Sequence, residues 1–207
     1  TSGGYGFAVA KSIAYGYLGL HGTAGIAQLV SIGAPLRWID VNPLLELAFS
    51  SPALAGSLRI SRTRAMVRAA FPVLLRVPSV LSLYMNTATI DVDRIIEMTE
   101  TVEDPDPGVN RDLAMWIRHR DLRLGGVNIT DALGSVDVPL LLVLSNRDGI
   151  VPEGTAMTVV DAWGGSDVEV LRVGDDSNWY AHANLFVAND APRLVFEPLI
   201  DWLRRHP

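Results

Sequence analysis

Pro139 is followed by an unbroken apolar run, Leu140–Leu144, and then by Ser145, Asn146, Arg147, Asp148 and Gly149. A short run of Leu and Val, opened by proline and closed by turn formers, reads as a strand buried on both faces. Strands of that kind belong to parallel sheets covered by helices, which narrows the chain to α/β architectures. In open α/β sheets, ligands gather outside the carboxyl ends of the strands, and Asp148 stands just past such an end. Two roles are open to it. It can shape the turn ahead of Gly149, or it can deliver a carboxylate to the edge where ligands bind.

The rest of the sequence sets bounds on this reading. A chain of 207 residues fits one domain, or one domain carrying a large insertion. Apolar residues make up 49%, enough for a sizeable core. The net charge of −6 argues against a nucleic-acid partner, because phosphate binding needs a concentrated basic face. Arg59, Arg62, Arg64 and Arg68 do cluster, but their helical spacing reads as a solvated face. The absence of cysteine excludes disulfides, thiolate metal sites and a Cys nucleophile. No metal-ligand spacing is present. No apolar run approaches the length needed to cross a bilayer. The compartment and oligomeric state stay open, with the cytoplasm as the working assignment. The sequence begins at Thr1, inside what reads as a motif. The expectation is that its beginning has been lost, so a missing signal peptide carries no information.

Taken in order, Phe7, Ala8, Ala10, Ile13, Ala14, Tyr17 and Leu18 recur at helical intervals and predict a mostly buried helix. Gly16 and Gly19 either weaken its second half or mark close packing, and His21-Gly22 reads as its stop. A second short buried strand is expected over Ile26–Ile32, ended by Gly33-Ala34-Pro35. From Trp38 to about Asp131 the signals are helical, with no convincing strand alternation, and prolines at 43, 52, 72, 78, 105 and 107 cut the block into short helices. Such a block between two βα segments reads as an insertion lying over the sheet. Its most apolar piece, Phe71–Met85, is either core or a lid over a greasy substrate. Beyond Asp148 the expectations are a helix over Gly154–Trp163, a strand nearer the sheet edge over Val168–Val173, a polar loop, and an amphipathic helix over Pro192–Arg205.

His182 falls in the loop after the strand that follows Asp148. Neighbouring parallel strands place such loops side by side, so the two side chains can meet. An Asp that accepts a hydrogen bond from imidazole fixes its tautomer and stabilises the cation formed when His takes a proton. His182 alone would pass for a structural or exposed histidine; paired with Asp148 it becomes a candidate general base. His21, His119 and His206 lack that setting.

D-G-I-V-P after a buried strand, then Y-A-H-A-N-L-F, then F-E-P-L-I-D-W-L together resemble the C-terminal part of an α/β-hydrolase. Y-L-G-L-H-G-T-A-G-I-A-Q-L-V-S-I-G-A-P resembles that fold's passage from the nucleophile helix into the next strand. N-R-D-L-A-M-W-I-R-H-R-D-L is similar to the lid-to-core return of esterase-like members near the polyhydroxyalkanoate synthases and lipases. The resemblance implies an α/β fold, a mainly parallel sheet with flanking helices. Residues 1–37 and 132–207 would form the core, and 38–131 an inserted helical cap. It implies Asp148 as triad acid and His182 as base, in the chain order Ser, Asp, His. The implied function is a serine hydrolase acting on carboxylic esters with acyl or lipid-like substrates, a chemistry that needs neither a metal nor an organic cofactor. An acyltransferase using the same residues and a non-catalytic descendant are the alternatives.

The family's nucleophile motif, G-x-S-x-G, projects a serine from a strained turn and offers the next residue's N–H to the oxyanion. Thr1-Ser2-Gly3-Gly4 supplies x-S-x-G, making Ser2 the nucleophile and Gly3 the oxyanion donor. Counting back from Leu29 instead places Gly6-Phe7-Ala8-Val9-Ala10 on the motif, with Ala8 where the serine belongs. Ser12 and Ser31 fall inside a helix and a strand and are poor candidates. The family's first strands, which carry the second oxyanion donor, are not matched. Loss of one donor costs about two to three orders of magnitude in rate, so a weak or inactive segment is the expectation.

Overall fold

The computed structural model describes residues 14–57, 61–94, 97, 99–100, 104 and 106–207. The strands in chain order are β1 (Leu29–Ile32), β2 (Arg123–Leu124), β3 (Val127–Asn128), β4 (Leu140–Ser145) and β5 (Val168–Val173). β1, β4 and β5 form a parallel sheet in the order β1-β4-β5, with Leu29 opposite Leu140 and Leu140 opposite Val168. Every residue of β4 is buried. Leu140, Leu142 and Leu144 pack with Tyr15, Leu18, Trp116 and Val159. Leu141 and Val143 pack with Val173, Leu185, Val195 and Trp202. The two-residue alternation sends one unbroken apolar run into two cores. Each such side chain contributes about 1.5–3 kcal/mol of burial free energy. β5 pairs with β4 alone among the described residues, and its exposed Glu169 and Arg172 suit that edge place.

Residues 14–21 are helical and end where the sequence indicates. Gly22 takes φ +68° and its N–H returns to the Leu18 carbonyl at 2.8 Å, a left-handed cap that favours glycine. Gly16 and Gly19 mark close packing. A Cβ on Gly16 would strike the Leu124 side chain, and one on Gly19 would lie 3.1 Å from Ile129 Cγ2. β1 is shorter than expected, because Ile26–Gln28 leave the ladder and pairing starts only when Leu29 N–H reaches the Pro139 carbonyl.

Residues 38–131 hold the helices Pro43–Ala48, Pro52–Ser57, Thr63–Leu74, Pro78–Leu81 and Pro107–His119. Pro43, Pro52, Pro78 and Pro107 each open a helix, where a missing N–H costs nothing. Two expectations for this block need correction. Pro72 does not cut the chain but sits exposed inside the helix Thr63–Leu74, whose inner face is anchored by buried Phe71. The block is also not free of strands, since β2 and β3 pair as an antiparallel hairpin. Gly125 and Gly126 turn it with φ of +56° and +84°, the two-residue turn that matches strand twist. Two residues per strand are too few for alternation to show in sequence.

The end of the block is stitched to the main core. Trp116, Ile117, Leu122 and Ile129 pack in the same cluster as Leu140 and Leu142. The Trp116 indole donates to the Leu36 carbonyl at 2.9 Å, and the Trp38 N–H to the Arg120 carbonyl at 3.0 Å. Buried Asp121 accepts from Thr130, from Asn128 at 3.0 Å and from Arg37 at 3.4 Å. No helix among the described residues is long and apolar enough to cross a membrane.

Candidate active site

Because β4 and β5 run parallel, the turns that follow them meet at one rim of the sheet. Asp148 lies three residues past the end of β4, His182 nine past the end of β5, and both are buried. The two roles open to Asp148 turn out to be compatible, one for each oxygen. Oδ1 accepts from the N–H groups of Ile150 (2.8 Å) and Val151 (2.7 Å), fixing the turn into the helix Glu153–Ala162. Oδ2 lies 2.7 Å from His182 Nδ1. An ionised carboxylate only accepts, so Nδ1 carries the proton and donates. In the neutral imidazole that leaves the lone pair on Nε2, as proton abstraction requires.

The surroundings keep the ring in place. Gly33, which follows β1, has φ +52°, and a Cβ there would lie 3.5 Å from His182 Cε1 and Nδ1. The Tyr84 ring also neighbours it, tilted by 37° with centroids 6.1 Å apart. Tyr84 belongs to a strap, residues 83–89, that bonds to both turns. The Gly149 N–H donates to the Leu83 carbonyl at 3.0 Å, and the Ala183 N–H to the Tyr84 carbonyl at 2.8 Å. Tyr180 donates its hydroxyl proton to Asp190 at 2.5 Å, and burial, reinforced by that carboxylate, pushes its pKa up to about 12. It therefore acts as a neutral donor at working pH.

The structure thus brings Asp148 and His182 together. Ser2, Gly3 and Ala8 lie outside the described residues, as does Ser12. Ser31 is buried in β1, its Oγ 2.6 Å from the Tyr15 hydroxyl. His119 is exposed at a helix end, and His21 packs beside Tyr17. His206 contacts the Trp202 carbonyl and Asp167. Among the described residues no group of three or more His, Asp or Glu is placed to hold a metal ion. Sequence reasoning missed the strap and its anchors Asn86 and Asn184. The available signal was an amide placed among apolar neighbours in A-H-A-N-L-F and Y-M-N-T.

No protein-family profile matches the sequence, and no curated protein matches it. Solved structures do. The chain is similar to the monoacylglycerol lipase of Paleococcus ferrophilus, with 11% identity and a TM-score of 0.62 over 95% of this chain and 65% of that one. It is similar to a thermophilic esterase from Thermogutta terrifontis, with 16% identity and a TM-score of 0.56 over 95% of this chain and 62% of that one. A third is an α/β-hydrolase enzyme from a Medee basin deep-sea metagenome library, with 13% identity and a TM-score of 0.54 over 98% of this chain and 63% of that one. The parallel sheet, its flanking helices and these likenesses define an α/β-hydrolase fold. The chain spans 62–65% of the length of these three structures.

Proposed function

We propose that the protein is a serine hydrolase acting on carboxylic esters, with Asp148 and His182 as its acid and base. The observation that carries this reading is the 2.7 Å contact between Asp148 Oδ2 and His182 Nδ1 at the rim where the turns after β4 and β5 meet. Similarity to proteins described as a lipase and an esterase is consistent with it. Ser2 is the proposed nucleophile, with the Gly3 N–H as oxyanion donor. His182 Nε2 takes the Ser2 proton as Oγ bonds to the ester carbonyl carbon, while Asp148 holds the imidazole and balances its positive charge. The tetrahedral adduct collapses with loss of the alcohol, which receives that proton. Water, deprotonated by His182, then releases the acid and restores Ser2. Residues 38–131 serve as the cap, and its apolar part selects acyl or lipid-like chains.

A fluorophosphonate probe tests the reading directly. The wild-type protein is expected to be labelled slowly, since the strands that carry the family's second oxyanion donor are not matched, and Ser2→Ala and His182→Gln to escape labelling. Absence of label on the wild type would leave the fold without the activity, as expected if Ala8 holds the elbow. Hydrolysis of nitrophenyl esters is expected to favour longer acyl chains, and a strict preference for small polar esters overturns the substrate class. Product analysis with an added alcohol separates hydrolysis from acyl transfer.

A further inference from the structure

The loop that carries His182 is held by an amide two residues further on. Asn184 is fully buried, and its side chain fills all four of its hydrogen-bonding positions. Oδ1 accepts from the N–H groups of Asn86 (2.6 Å) and Ala181 (2.9 Å), while Nδ2 donates to the Asn86 carbonyl (3.0 Å) and to Thr89 Oγ1 (2.9 Å). Asn86 reciprocates from the strap. Its Nδ2 donates to the Trp179 carbonyl (2.8 Å), and its Oδ1 accepts the Ala88 N–H (3.1 Å). The backbone adds Ala183 N–H to the Tyr84 carbonyl and Asn189 N–H to the Thr89 carbonyl, each 2.8 Å. Residues 181 and 183, immediately flanking His182, are thus each tied down, one by Asn184 and one by the strap.

We propose that Asn184 and Asn86 are positioning residues for His182, locking residues 179–184 onto the strap so that the imidazole stays on Asp148. The catalytic consequence rests on the hydrolase reading; the geometric part does not. A loop bearing a general base needs directional restraint, and apolar packing is not directional. Buried hydrogen-bond networks are strengthened by the low dielectric around them, and leaving any member unpaired is costly. A misplacement of about 1 Å at a reacting group costs about a hundredfold in rate. An apolar residue of similar volume at 184 would fill the space while leaving the N–H groups of Asn86 and Ala181 without partners.

The test compares Asn184→Ala, Asn86→Ala and a control, Val195→Ala, a fully buried core position packed with Leu141 and Val143. The first readout is the proton resonance of His182 Nδ1–H, which a short bond to a carboxylate moves downfield and protects from exchange. It is assigned by its absence in His182→Gln. Asn184→Ala is expected to broaden or abolish that resonance and to lower kcat by about a hundredfold with little change in KM. Asn86→Ala is expected to do the same more weakly. Val195→Ala is expected to lower Tm while leaving resonance and kcat in place. A sharp resonance with unchanged kcat in folded Asn184→Ala overturns the proposal, and so does equal loss in Val195→Ala. If Asn184→Ala does not fold, Asn86→Ala and Thr89→Val, which keep the Asn86 backbone partners, decide the matter by the same readouts. Wild-type protein that shows the resonance but turns over no ester removes the hydrolase reading, and the resonance still judges the positioning.

Discussion

The Asn146 side chain accepts the Tyr180 N–H at 2.9 Å, joining the turn after β4 to the loop after β5 before either reaches Asp148 or His182. The next residue extends the zipper, with Arg147 N–H donating to the Tyr180 carbonyl at 3.0 Å. Asn146 Nδ2 also donates to the carbonyls of Asp175 (2.8 Å) and Asn178 (3.2 Å). Its amide occupies the space a Cβ on Gly174 would need, and Gly174 has φ +106°. Asn146→Ala is therefore expected to lower stability by about 1–3 kcal/mol through unpaired backbone groups. Gly174→Ala is expected to cost at least as much. Urea denaturation checks both, as a shifted midpoint with an unchanged m-value.

Asp148→Asn separates the two jobs of that carboxyl. The retained oxygen still accepts from Ile150 and Val151, so the turn stays folded. The new NH2 group faces His182 Nδ1 and must donate to it, which moves the ring proton to Nε2 and removes the base. Under the proposed function, kcat is expected to fall by about four orders of magnitude with an unchanged circular dichroism spectrum. A fall of less than about tenfold would remove Asp148 from the mechanism.

Gly149→Ala tests the strap. A Cβ there would lie 2.6 Å from Leu83 Cα and 2.7 Å from its carbonyl oxygen, both backbone atoms with no rotamer to yield. The strap must move away from the Asp148 turn, at a cost of about 1–3 kcal/mol. Hydrogen exchange is expected to quicken at the Gly149 and Ala183 amides, which bond to the strap, while β4 amides keep their protection. Uniform quickening would show general destabilisation instead.

Acid is expected to loosen the loop before His182. The Asp175 carboxylate accepts from the N–H groups of Asn178 (2.7 Å) and Ser177 (2.8 Å), and these bonds hold its pKa below the usual carboxylate value. A depressed folded pKa stabilises the fold above the unfolded value, about 3.9, and that contribution is lost as pH falls through the folded value. Asp104 behaves alike through the N–H groups of Thr63 and Arg62. Asp175→Asn keeps an accepting oxygen without the titration. Its Tm is expected to depend less on pH below about 4 than that of the wild type, and identical profiles would exclude Asp175 as a contributor.

The parallel sheet was legible because β4 is buried on both faces and must be apolar throughout, with Pro139 and Ser145–Gly149 marking its ends. The Asp148–His182 contact was legible because strand direction alone puts the two turns on one rim. The hairpin at Gly125-Gly126 was not, since two-residue strands carry no period. Pro72 misled because the sequence does not show that Phe71 anchors the same helical turn. The strap stayed hidden for another reason. It is attached through backbone carbonyls of Leu83 and Tyr84, which every residue type possesses, and its side-chain partners Asn86 and Asn184 are 98 positions apart.

That mode of attachment has a further consequence. Carbonyls are indifferent to the letter written at their position, so residues 83 and 84 can be exchanged while the tether to Gly149 and Ala183 persists. The tether of the His182 loop is thereby independent of the side chain at 84, whose ring makes a separate contact with the imidazole. Under the proposed function, preference for one guest over another can shift at Tyr84 while this tether stays in place.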